Sequence, residues 1–521
     1  MLKLVVCLVL PAAALAGAGP EEAFVSTFES RVELTPQNKI DEFVFANLKQ
    51  QKIEAANLCS DAVFLRRAYL DVIGTLPTAK EAVAFFKDPN PHKRAALIDT
   101  LLDRPEFADY WAMRWSDLLR IKAEFPINLW PNAAQAYHHW LLSSARDNKP
   151  YDQFARELLT TSGSNFRDGP VNFYRAMQSR EPSGIAQTVA LTLMGARAEK
   201  WPKQRLADLA GFFTNVGYKE TGEWKEEIVY FDPAKKDTVL PREATFPDGS
   251  HTTLTPDRDP REVFADWLIT PQNPWFAQAI VNRTWAWLLG RGIVQEPDDI
   301  RPDNPPENPQ LLAYLAQELV TSKYDLKHIY RLILNSETYQ LSSIPRTNTP
   351  EAAIHFASYP LRRLDAEVLI DALCEITGTT EKYSSAIPEP FTFIPDEQRS
   401  ISLPDGSITS SFLEQFGRPP RDTGLESERN NALTASQEQH LLNSSHIQQK
   451  IERSPRLNYL IQNTQDPRTL VTTLYLMILS RYPTAEELKV VEAYSGTAKG
   501  RDAAVDLVWS LMNSAEFLYR H

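Results

Sequence analysis

The sequence predicts a mainly α-helical protein, an orthogonal multi-helix bundle of repeated helical hairpins with a small β-hairpin or sheet inserted. Three observations predict it. Apolar residues recur at three- and four-residue spacing over much of the chain. A helix-start signature, Pro-Thr-x-x-Glu, stands near both ends, at Pro77–Glu81 and Pro483–Glu487. Short runs rich in β-branched and aromatic residues gather in one place, Glu226 to His251.

Taken in order, Met1 to Gly19 carries Lys3, an apolar run from Leu4 to Leu15 broken by Pro11, and small residues at Ala14, Ala16 and Ala18. That layout predicts a Sec-type signal peptide over residues 1–18, and therefore a periplasmic or extracellular protein with no membrane span after its removal. Residues 37–215 read as a helical domain. Within it, FLRRAYLDVIGTLPTAKEAVAFF, Phe64 to Phe86, is a helix stopping at Gly74 and a second starting at Thr78, whose hydroxyl caps the amide three residues on while Glu81 reaches back. Residues 216–255 read as the β-rich insertion, with EEIVYF, DTVLP and REATF separated by the turn signals DPAKK and PDGS. Residues 256–445 read as a second helical domain containing a long loop from Ser384 to Asn431, rich in proline and poor in periodicity. Residues 446–521 form a final helical repeat expected to pack near the first. One helix ending occurs three times: Leu97, Ile98, Leu101, Leu102 and Phe107 match Ile329, Tyr330, Ile333, Leu334 and Tyr339, and then Leu507, Val508, Leu511, Met512 and Phe517. Such stripes are core faces, each closed by an aromatic.

The 521-residue chain is 43% hydrophobic and 23% charged, a globular composition, and its net charge of −12 with no dense basic run argues against nucleic acid as a partner. Past the leader only Cys59 and Cys374 remain, enough for one disulfide and too few for a structural zinc site. The sequence contains no G-x-S-x-G, H-E-x-x-H, G-x-G-x-x-G or Walker loop.

The stretch from Asn282 to Ser342, opening NRTWAWLLGRGIVQEPDDIRPDNPPENPQLLAYLAQELV, resembles the C-terminal domain of a group of secreted planctomycete-type proteins of unassigned activity. FLRRAYLDVIGTLPT, RPEFADYWAMRWSDLLRIK, NKPYDQFARELLTTSGS and LTLMGARAEKWPKQRLADLAGFF resemble a second planctomycete-type family, named as cytochrome-like. Relatives of that family continue from Leu-Gly-x-Arg into Cys-x-x-Cys-His. This chain instead reads Met194, Gly195, Ala196, Arg197, Ala198, Glu199, Lys200 and Trp201. Covalent haem needs two thiols and an axial histidine, so the haem signature is absent; neither cofactor nor metal is expected.

Several residues remain as candidates. Asp298 and Asp299 follow GRGIVQEP, and with Glu426 they could act as acid and base on a glycan. Trp115, Asp117 and Arg120 in WSDLLR, Asn282, Arg283 and Trp285 in NRTWAW, and Arg418, Arg421 and Arg429 in the long loop form a possible binding surface, the last three resembling the C-terminal family's Arg-Pro…Glu-Arg segment. Arg362, Arg363, Glu367 and Asp371 read as the ion-pair face of one helix. The adjacent His138 and His139 diverge on a helix and read as an exposed edge beside Trp140, while His440 and His446 fall on nearly opposite stripes. The favoured expectation is an exported, non-catalytic binding or scaffold protein whose partner is another secreted protein or a glycan. The alternatives are a hydrolase or lyase acting on polysaccharide, and a redox partner of a separate cytochrome.

Overall fold

The computed structural model describes residues 27–235, 238, 240–495 and 500–521; the leader expected over residues 1–18 lies outside them. Among the described residues the protein is mainly α-helical, with 24 helices and sheets of only two or three strands. No helix there is long and apolar enough to cross a membrane.

Helix starts follow local chemistry. The Thr78 hydroxyl accepts from the Glu81 amide at 3.2 Å and the Glu81 carboxylate accepts from the Thr78 amide at 2.8 Å, opening the helix Ala79–Lys87. Thr484 and Glu487 repeat the exchange at 3.2 and 2.7 Å ahead of Ala485–Ser495. The helix Asp61–Val72 stops before Gly74, whose φ of +62° disfavours a side chain and whose missing Cβ leaves room for the Tyr110 ring. Phe107, Tyr339 and Phe517, the closing aromatics of the three repeated endings, are all buried.

The first and last hairpins touch. Arg66 donates to the carbonyls of Ile478 and Phe517, both at 2.8 Å, and Arg67 donates to those of His521 and Tyr339 at 2.9 and 2.5 Å. Both guanidiniums are buried. The helix Asp61–Val72 is thereby the post around which the last turns of the chain close.

The β structure differs in detail from its sequence reading. Glu227–Phe231 is the middle strand of a three-stranded antiparallel sheet, between Val216–Glu220 and the two-residue Gly163–Ser164. Arg242–Thr245 and His251–Leu254 make a separate hairpin, and the described residues of DTVLP lie outside any strand. Arg362 and Arg363 are not helical: they pair as a short strand with Tyr519–Arg520, and the helix begins only at Ala366. His440 and His446 do not share a helix. Ser444 ends Ala435–Asn443 and caps Ser445–Glu452, and this break brings the two imidazoles to 3.4 Å. Cys59 and Cys374 are free thiols.

Candidate functional site

The candidate residues picked from sequence meet, but inside the protein. Asp117, at the end of the helix Pro105–Leu118, accepts from Arg421 Nε at 2.9 Å and from Arg429 at 2.6 Å. Arg429 also forks onto Glu367 at 2.7 and 3.1 Å, and Arg418 Nε stands 3.5 Å from the same carboxylate. Asp365 accepts from Arg520 at 2.8 Å and from Asn431 at 2.8 Å. Glu426 accepts from Arg114 at 2.6 Å and from Trp287 Nε1 at 2.9 Å, while its own amide donates to Asp298 at 2.6 Å. Asp298 in turn accepts from the Nε and a terminal nitrogen of Arg283 at 3.1 and 2.7 Å.

This seam joins both halves of the chain to the long loop. Burial alone would raise the Asp117 carboxyl, but the Arg429 and Arg421 guanidiniums outweigh it and hold the group below the usual carboxylate range. Asp365 is held well below that range for the same reason: Arg520, Arg429 and Arg114 prevail over desolvation. Burial lowers Arg418 and Arg120 to about 10.

The expected binding surface is therefore corrected. Trp115, Asp117, Arg120, Asn282, Arg283, Trp285, Arg418 and Arg421 are buried, and the Arg429 side chain is 5% exposed. Trp285 packs edge-on against Phe356, and Arg120 donates to the Ala176 carbonyl. Aromatic and charged residues alternate in these helices because the helices cross in the interior, where ion pairs and rings fill the same contacts. The carboxylates stand apart from an acid–base pair as well. Asp298 is 1% exposed beneath Arg283, and Asp299 lies 3.3 Å from Arg301 and 3.4 Å from Lys200. The Gly195 carbonyl accepts from the Ile300 amide at 2.8 Å, and a Cβ at Gly195 would meet the Ile300 side chain and the Pro297 carbonyl.

What reaches solvent is a set of residues the sequence reading passed over. Among the described residues the exposed Phe and Trp side chains are Phe125, Trp224, Phe391 and Phe393. Trp224 and Phe391 pack with the partly buried Trp130, ring centroids 4.6 and 5.2 Å from it and 5.8 Å from each other. Phe125 stands on the loop that Trp130 closes, where the Trp130 amide donates to Ala123, and Phe393 lies two residues beyond Phe391. Three loops carry the patch: Glu124 accepts from the Ala386 amide at 3.0 Å and its own amide donates to Ser407 Oγ at 2.9 Å, tying two of them, and the third meets them through the Trp224 ring. The available signal was aromatic residues set among prolines and turn residues, in EFPINLW and PEPFTFIP, with no periodicity to bury them.

An open groove of about 1090 Å³ is lined by Asn132, Gln135, His139, Trp140, Arg167 and Asp168 among others. His138 also lines it and is buried, not the exposed edge expected. Burial pushes its imidazole down to about 3, so it is neutral, and its Nε2 has no partner among the described residues. The described residues contain no cluster of three metal-ligating side chains.

Comparison with known families then places the chain. The family described as PSCyt2, Protein of unknown function (DUF1549), matches residues 39–206, and the family described as PSD1, Protein of unknown function (DUF1553), matches residues 260–495. The chain thus carries two planctomycete-type domains of unknown function in tandem. No curated protein and no solved structure matches it. The seam described above is a junction of the two domains: Asp117 lies in the first match, Arg421 and Arg429 in the second.

Proposed function

We propose that this tandem-domain protein is an exported, non-catalytic binding protein that presents the Trp130, Trp224 and Phe391 patch to a partner on the outside of the cell. One observation carries the reading: the exposed Phe and Trp side chains of the described residues all occur on three loops that meet at the Trp130 ring. Exposed apolar rings clustered on loops mark an interaction site far more often than chance, since water-facing rings are otherwise scattered singly. The acids considered for catalysis are engaged with arginines or lysine, which supports binding over turnover. The leader read from residues 1–18 supports export.

Co-sedimentation of the purified protein with isolated cell envelopes tests it. The wild-type chain is expected in the pellet and the Trp224→Ala/Phe391→Ala double variant in the supernatant. Equal retention of both would sink the reading.

A further inference from the structure

We infer that the groove between Asn132 and Asp168 binds an extended, uncharged oligosaccharide, with the Trp224 patch at its mouth acting as a stacking platform. This deepens the binding reading above and rests on it. Groove and patch adjoin through three separate connections. Asn132 follows Trp130 by two residues. Asn165, next to the groove residues Phe166 and Arg167, donates to the Lys225 carbonyl at 3.2 Å, one residue from Trp224. Pro404 lines the groove, and the adjoining Asp405 accepts from the Ala123 amide at 2.9 Å on the loop that ends in Trp130.

The lining chemistry selects the ligand class. A sugar chain offers hydroxyls that both donate and accept, on rings with apolar faces. The groove supplies both kinds of polar partner: the amides of Asn132 and Gln135, the imidazole of His139, the guanidinium of Arg167 and the carboxylate of Asp168. The charges balance: Glu157 is met by Lys149 at 2.5 Å, and the lining otherwise carries one cation, Arg167, and one anion, Asp168. No net field is left to hold a polyanion, which separates a neutral glycan from nucleic acid or sulfated polymer. The volume lies just above the usual range for small-molecule pockets, and the site is open to solvent, as a chain longer than the groove requires. Gly169 sets the wall, since a Cβ there would meet Trp140 Cβ at 2.6 Å and the Ala136 carbonyl at 2.7 Å.

Calorimetric titration with the uncharged hexasaccharides of β-1,4-glucan, β-1,3-glucan, β-1,4-xylan and α-1,4-glucan, and with dextran sulfate, tests the assignment on the full chain. Saturable binding of at least one neutral hexasaccharide is expected, weakened about tenfold by Gln135→Ala in the groove and by Trp224→Ala on the platform. Both substitutions are at exposed positions, and unchanged melting temperatures confirm that the variants fold. Binding of dextran sulfate alone, no binding of any neutral hexasaccharide, or binding indifferent to both substitutions overturns it. If saccharides fail while envelope retention still depends on Trp224 and Phe391, the glycan assignment falls and the binding-protein reading stands; if both fail, both fall.

Discussion

Asp117 shows what a single side chain does here. Its two oxygens neutralise Arg421 and Arg429 where water does not reach, and an isolated buried guanidinium is far costlier than the pair is favourable. Asp117→Ala is expected to lower the unfolding free energy by about 3 kcal/mol, measured by denaturant titration, at the low end of the usual range because Glu367 still faces Arg429. A second residue gives a pH signature. Burial raises Asp371 to about 6 against the pull of Arg399 and the amides of Ser400 and Ile401. Since the folded value lies above the unfolded one, this stabilisation is full below about pH 4 and is lost as pH rises towards 6. Asp117 and Asp365, held low, act in reverse: their contribution is present above about pH 4 and lost in stronger acid, and that of His138 is lost as pH falls from about 6.5. The stability advantage of wild type over Asp371→Asn should therefore shrink between about pH 4 and 6. A pH-independent difference would show that Asp371 titrates normally.

At the scale of elements, what was legible was what neighbours in sequence decide. The Thr78 and Thr484 boxes involve residues three apart, so their hydrogen bonds were readable before any fold was known, and Thr78→Ala should cost about 1 kcal/mol in denaturant titration. The same holds for the three helix endings, whose closing aromatics and apolar stripes are buried as the spacing predicts, Leu97 and Leu507 at the stripe edges being half-buried. Legibility failed where a partner lies far along the chain. Arg362 and Arg363 have helix-compatible spacing to Glu367 and Asp371, yet the edge of Tyr519–Arg520 takes them as a strand. EEIVYF shows strand character by itself, but its pairing with Val216–Glu220 instead of DTVLP depends on which backbone edge stands next to it. The long loop lacks periodicity because its anchors, the buried Ile401, Phe412 and Phe416 and the arginines Arg418, Arg421 and Arg429, are spaced by the partners they meet and not by one helix face.

On the whole-molecule scale, Arg520 joins distant parts of the chain: it donates to Asp365 and to Tyr110, lies 3.5 Å from Asp71, and its strand pairs with Arg362–Arg363. With Arg66 and Arg67 holding the carbonyls of Ile478, Phe517 and His521, the first helical hairpin and the last turns should unfold together. Arg520→Met is expected to destabilise by roughly 3–5 kcal/mol, leaving buried carboxylates short of a partner, and to strip amide protection from Asp61–Val72 as well as from Tyr519–Arg520 in hydrogen exchange. Loss confined to the C-terminal strand would mean that the ends are independent. The helical class, the capped starts, the repeated endings, the family resemblance and the absent thiols were all determined by the sequence alone, because each depends on residue type and short spacing. Only the tertiary structure decided that the Trp- and Arg-rich motifs lie inside as a charged seam, and that Trp130, Trp224 and Phe391 meet in water. Burial and convergence are properties of which distant surfaces touch, and no local pattern encodes them.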